Sequence, residues 1–186
     1  GNVSAVLRSA EALGFQSVHV IDSSGDFKEA KRVTQGAEKW LDVHRWPGPA
    51  EAADALRARG YRILATHFDG ARPIEAFDFN RPTAIVFGNE KDGVSAEVLA
   101  RADDRMVFPM VGFTRSFNIS VAAALCLYYV HRQRRDRLGA NGDLPAEVRR
   151  VLTARYCLRS VDRAEAIVLH TPGTAPPPQK DKKAGR

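Results

Sequence analysis

Only two of the 186 residues are cysteine, Cys126 and Cys157, and their spacing suits neither a metal site nor a disulfide framework. A cytoplasmic, reducing setting is therefore expected. Long apolar runs are missing as well: no stretch reaches the roughly 20 residues that a membrane-crossing helix needs. The first residues carry no basic-then-apolar leader either, so no membrane partner is expected. Gly1 stands where a methionine would, and an upstream segment is expected to be missing from this sequence. The patterns GxGxxG and GxxxxGK followed by Ser or Thr are absent, which disfavours a dinucleotide fold of the usual kind and a P-loop. His19, His44, His67, His131 and His170 lie scattered, with no metal spacing and no Ser or Cys partner for a triad, so no metal is expected.

What is present reads as one globular unit with a tail. Hydrophobic residues make up 44% and charged residues 27%, ordinary proportions for a chain that buries a core. From 171 to 186 the composition falls to Pro, Lys, Gly and Ala, too little apolar surface to offset ordering entropy, and a flexible basic tail is expected there. The net charge of +6 favours a polyanionic partner, because counterion release drives association with nucleic acid.

Apolar Val3, Val6, Leu7, Ala10 and Leu13 recur at helical spacing, with Asn2 available as N-cap and Gly14 as the stop. Short β-branched runs at 17–21, 41–45, 62–66, 83–87 and 105–108 predict strands, and helical patterns at 50–59 and 95–100 fall between them. The alternation predicts an α/β layer fold with a mainly parallel sheet and helices on both faces. A longer helix is expected over 118–133. Its run from Val121 to Val130 has no charged or amide side chain on any face, so it must be covered all round, by the core or by a second subunit. Arg132, Arg134, Arg135 and Arg137 make its end basic, which complements the helix dipole and offers contacts to phosphates. A further helix is expected from Pro145 toward Cys157, and a weaker one after Asp162.

Two loops each follow a strand and precede a helix, where open α/β sheets bind ligands. They are "GNEKDG" from Gly88 and "PMVGFTRSFN" from Pro109 to Asn118, whose glycines allow tight turns and close approach of backbone to a ligand. Alone, each is also compatible with plain turn chemistry.

Together with the first helix, these segments resemble a known family. "NVSAVLRSAEALG", "IVFGNEKDGVS" and "FPMVGFTRSFNISVAAALCLYY" are similar to the three motifs of the SPOUT superfamily of RNA methyltransferases, in its TrmH branch. The likeness runs from Asn2 to about Gln133, and "RQRRDRLGANGDLP" resembles that branch's C-terminal extension. The resemblance implies a sheet whose C-terminal segment threads a trefoil knot, S-adenosylmethionine as cofactor, a homodimer, and methylation of a ribose 2′-hydroxyl in tRNA at the D-loop guanosine. It implies a methyltransferase domain over 1–138, a helical extension over 139–170 and the tail beyond.

Carried over residue by residue, the resemblance puts the catalytic arginine at Arg8 and the other motif residues at Asn2, Glu90, Ser116 and Asn118. The cofactor pocket would take Thr66, Gly88, Asn89, Phe108, Pro109, Met110 and Phe117. Arg115 joins Arg132, Arg134 and Arg135 as candidate RNA contacts. Two positions depart from the pattern: Phe117, where leucine is usual, and Gly1, where histidine often precedes the asparagine. An arginine stays protonated at physiological pH, so Arg8 is expected to grip a phosphate and stabilise charge developing on the 2′-oxygen rather than act as a base. Glu90 is expected to organise its loop and Asn118 to cap the following helix. Methylation of ribosomal RNA and a non-catalytic RNA-binding role remain as alternatives.

Overall fold

The computed structural model describes residues 2–22, 36–89, 91–114, 116–139 and 142–160. The helix expected after Asp162 and the basic tail fall outside them. The chain divides into two units, Gly1–Asp143 and Leu144–Arg186. Within the first unit Arg134 pairs with Asp143 at 2.7 Å.

The first unit runs α1 (Asn2–Ala12), β1 (Ser17–Ile21), a 3-10 turn (Ala37–Trp40), β2 (Asp42–Trp46), α2 (Pro49–Ala58), β3 (Arg62–Thr66), β4 (Arg72–Pro73), a second 3-10 turn (Ile74–Ala76), β5 (Thr83–Val86), α3 (Ala96–Arg101), β6 (Asp104–Val107) and α4 (Ile119–Leu138). The second unit contributes α5 (Ala146–Ser160) among the described residues. Gly14, at φ 79, ends α1 as expected. The amides of Gly14 and Phe15 bond back to Glu11 and Ala10, the paired arrangement that a left-handed residue permits. The long helix runs five residues past the expected Gln133, because its arginines are good helix formers and the first stop is Gly139 at φ 65.

All strand pairs are parallel. β1 pairs with β2, and a four-stranded sheet has the order β4, β6, β3, β5. The last strand among the described residues is thus inserted between two earlier ones. β4 was not expected; two residues carry no periodicity, and it exists through its pairing of Arg72 with Met106 and Pro73 with Val107.

The strands of the larger sheet alternate their side chains between two covered faces. Ile63 packs with Ala53 and Leu56 of α2, and Ala65 packs with Val94 and with Val98 of α3. Leu64 and Met106 point the other way, into a core with Ile74, Phe77, Phe79 and, from α4, Cys126 and Val130. Burial pushes the Cys126 thiol up to about 12, so it acts as a small apolar group. α1 lies against α4 and buries Ser4, Leu7 and Ala10.

Polar groups lock α4 to this core. Gln133 Oε1 accepts from the Phe79 amide at 2.8 Å, its Nε2 donates to the Phe77 carbonyl at 3.0 Å, and Arg134 Nη1 donates to the Phe79 carbonyl at 2.7 Å. Replacing Gln133 by Leu leaves two backbone groups without partners, each worth about 1–3 kcal/mol when buried. Gln133→Leu is expected to melt several degrees below wild type by circular dichroism; an unchanged melting temperature would show that these bonds contribute nothing.

Candidate functional site

Because the strands are parallel, the C-terminal ends of β3, β5 and β6 share one edge of the sheet, and the loops that follow start there together. Thr66 closes β3, and its Oγ1 donates to the Val86 carbonyl at 3.0 Å, tying the exits of β3 and β5.

The loop after β5 is shaped by its own backbone. Asn89 and Gly93 exchange two amide-to-carbonyl bonds of 3.1 and 3.0 Å, and Gly93 turns the chain at φ 68. Asn89 Oδ1 accepts from the amides of Lys91 at 2.9 Å and Asp92 at 2.7 Å. A Cβ on Gly88 would lie 1.9 Å from the Gly93 carbonyl carbon. The tight turn expected of this glycine thus brings it against its own loop, where a side chain would not fit. Glu90 lies outside the described residues, as does Arg115.

The loop after β6 is anchored at both ends. Phe108 is half-buried against the core, and the Phe117 ring meets it edge-on with centroids 6.4 Å apart. Between them, no backbone-to-backbone hydrogen bond is found among the described residues from Pro109 to Phe117. Pro109 is exposed, Met110 half-buried, and Ser116 exposed. Asn118 caps α4, its Oδ1 accepting from the Ser120 amide at 2.9 Å and the Ser120 hydroxyl at 2.6 Å. Sequence reasoning did not single out Ser120, although a Ser two residues past a capping Asn is well placed to reach it.

Across 116 residues of chain, Asn118 Nδ2 donates to Asn2 Oδ1 at 3.4 Å. The first residue of α1 thus meets the cap of α4 at the end of the second loop. Arg8 is not drawn into this contact. It is exposed on α1, and its side chain makes no hydrogen bond or ion pair with any described residue. Of the basic run, Arg132 is exposed with a loose 3.8 Å pair to Asp136, and Arg135 is exposed; Arg134 is committed to Phe79 and Asp143.

Away from this edge, the register of β1 on β2 stacks two histidines that the sequence left scattered. The His19 and His44 rings lie 4.6 Å apart, and Trp46 Nε1 donates to His19 Nδ1 at 2.9 Å. Burial, with the charges of His44 and Arg59, pushes His19 down to about 4, so it is neutral at physiological pH. No group of three or more metal-ligating side chains occurs among the described residues.

The model of the SpoU rRNA Methylase family matches residues 1–128. The tRNA (guanosine(18)-2′-O)-methyltransferase of Escherichia coli K12 is 40% identical over 158 residues, covering 81% of this chain and 68% of the relative. Among solved structures, the Aquifex aeolicus TrmH/SpoU tRNA modifying enzyme superposes with a TM-score of 0.74 at 29% identity, over 87% of this chain and 84% of that one. The SpoU methyltransferase AviRb of Streptomyces viridochromogenes, solved in complex with the cofactor AdoMet, gives 0.67 at 32% identity over 73% and 56%. These likenesses bear out the resemblance read from the three motifs and extend it to the arrangement of the sheet. With the family's model matched over more than half its length, the chain belongs to the SpoU methylase family.

Proposed function

We propose that this protein transfers a methyl group from S-adenosylmethionine to the ribose 2′-hydroxyl of a guanosine in tRNA. The observation that carries the reading is the meeting of Asn2 and Asn118 at the strand-exit edge, beside two loops that begin on the strands flanking β3. The family and the E. coli relative's activity on guanosine 18 of tRNA support the substrate and the reaction. AviRb's complex with AdoMet supports the cofactor.

The residues at this edge fit such a cofactor. Amides and carbonyls between Pro109 and Phe117 can hydrogen-bond an adenine edge and an amino-acid tail, and the Phe108 and Phe117 rings supply apolar contact. Thr66, Gly88, Asn89 and Met110 complete the pocket, with Asn89 holding its loop in shape. When bound, S-adenosylmethionine supplies an electrophilic methyl carbon. The chain's task is then to hold the ribose oxygen in line with that carbon, a positioning effect that can supply a large part of the rate. Arg8, exposed and without a described partner, grips the phosphate beside the target ribose and stabilises negative charge developing on the oxygen. Asn118 and Asn2 fix the start of α4 relative to α1; Ser116 and Glu90 belong to the same site by the family's motif. Arg115, Arg132 and Arg135 add contacts to the RNA backbone. Arg134 serves the fold first.

The protein acts as a homodimer. Val121 and Tyr128, seven residues apart and so on one side of α4, are 45% and 53% exposed, and Val3 on α1, the helix packed against α4, is exposed as well. A stripe of this kind is suited to burial by a second copy. The knotted passage belongs to the same proposal: β6 enters between β3 and β4, and the chain leaves through 109–117 into α4. No described helix is long and apolar enough to cross a membrane, and the proposed site of action is the cytoplasm.

Incubation with labelled S-adenosylmethionine and unmodified tRNA transcripts, followed by mapping of 2′-O-methyl groups, tests the reaction. A single modified guanosine in the D-loop is expected, and Arg8→Ala should abolish transfer while cofactor affinity stays within a few fold. Label in ribosomal fragments but not in tRNA would replace the substrate, and full turnover by Arg8→Ala would remove Arg8 from the chemistry. For the dimer, Val121→Asp should halve the mass measured by light scattering; a wild-type monomer would contradict that part of the reading.

A further inference from the structure

The opposite edge of the sheet, where the strands begin, carries a second concentration of charge. A cleft of about 540 Å³ opens there, lined by Arg57, Arg62, Arg72, Arg81, Asp103 and Asp104. Arg62, Arg72 and Asp104 are the first residues of β3, β4 and β6, while the methyl-transfer loops leave from the last residues. A five-residue strand separates the two edges by about 13 Å.

Most of these guanidinium groups are held in place. Arg57 pairs with Asp103 at 3.4 Å and also donates to the Arg101 carbonyl. Arg72 pairs with Asp104 and lies over the Phe77 ring, 4.5 Å from its centroid. Arg62 Nη2 donates to the Asp78 carbonyl at 2.9 Å and to Thr83 Oγ1 at 3.1 Å, while its buried Nε–H finds no acceptor. Arg81 is exposed, and its side chain meets no carboxylate among the described residues.

The charges do not balance. Four guanidinium groups face two carboxylates, and the C-terminal end of α2, which closes at Ala58 beside the cleft, adds only about half a negative charge. Burial is the first cause that works against the charged form of Arg62; Arg81 and Arg72 act in the same direction, and Asp78 and Asp104 oppose them. A phosphate would relieve that crowding and supply acceptors in the fork geometry that guanidinium groups prefer. The volume exceeds that of a bare phosphate and suits a nucleotide unit of a chain.

We propose that this cleft is a second RNA-binding site, in which Arg81, backed by Arg62 and Arg57, takes a backbone phosphate of the substrate RNA at a point remote from the nucleotide being methylated. The inference rests on RNA being the substrate, as proposed above. It assigns the strand-start edge to holding the RNA and leaves the chemistry at the strand-exit edge.

Binding of unmodified tRNA to the full chain, measured across a salt series with Arg81→Ala and Arg81→Lys, tests it. Arg81→Ala is expected to bind about tenfold more weakly at low salt. Its plot of log affinity against log salt should be shallower by about 0.7–0.9, the loss of one phosphate contact. Arg81→Lys should keep the wild-type slope, and both variants should keep the wild-type melting temperature and affinity for S-adenosylmethionine. Equal affinity and slope in Arg81→Ala would overturn the proposal. So would calorimetry showing that inorganic phosphate binds below millimolar concentration in an Arg81-dependent way while the tRNA slope stays unchanged, since the cleft would then serve a small anion. Methyl transfer is followed in parallel on the same samples. A changed slope without transfer sustains the cleft and removes the enzymatic reading. Transfer with an unchanged slope does the reverse, and a wild-type protein that binds no tRNA ends both.

Discussion

The insertion of β6 between β3 and β4 is the constraint on which the rest of the structure depends. A strand that enters the middle of a parallel sheet delivers its C-terminal end beside those of β3 and, one strand further, β5. The loop from Pro109 to Phe117 therefore begins next to Thr66 and near the Gly88 loop without any long excursion of the chain. The same insertion fixes α4 over the face formed by Leu64, Met106 and Phe79, where Gln133 and Arg134 fasten it. α1 then packs on α4, and Asn2 arrives at Asn118. Four segments far apart in the chain thus become neighbours through one pairing choice.

The sheet also separates two kinds of polar surface. At the exit edge the available groups are mainly backbone amides and carbonyls, shaped by a turn at Gly93 and two phenylalanines packed edge to face, which suits recognition of a small molecule. At the entry edge they are guanidinium groups, charge-bearing and only partly compensated, which suits an anion. The division follows from the sequence of each strand: arginine or aspartate opens β3, β4 and β6, and small or apolar residues close β5 and β6.

Much of this was legible in the sequence where a local rule determines the outcome. The end of α1 at Gly14, the centres of five strands and the cap at Asn118 all depend on residues within a few positions of one another. Features that depend on pairing were not legible. β4 is strand only because β6 lies beside it, and His19 meets His44 only through the parallel register of β1 on β2. Gly88 was singled out for the absence of a Cβ, but that the close atoms belong to Gly93 and Val94 depends on how the loop folds back. Arg134 read like the arginines around it until the carbonyl of Phe79 and the carboxylate of Asp143 gave it internal partners. The family's motifs supplied what patterning could not, a reason to connect the two loops with the first helix.

In the proposed function, the two loops leaving β5 and β6, on either side of β3, form a single cofactor site. Hydrogen exchange with and without S-adenosylhomocysteine, the product form of the cofactor, measures this most directly. Slowed exchange in both 88–94 and 109–120 at the same ligand concentration, with none around 57–62, is what the account predicts. Protection of one loop without the other, or protection centred on the strand-start edge, would contradict it.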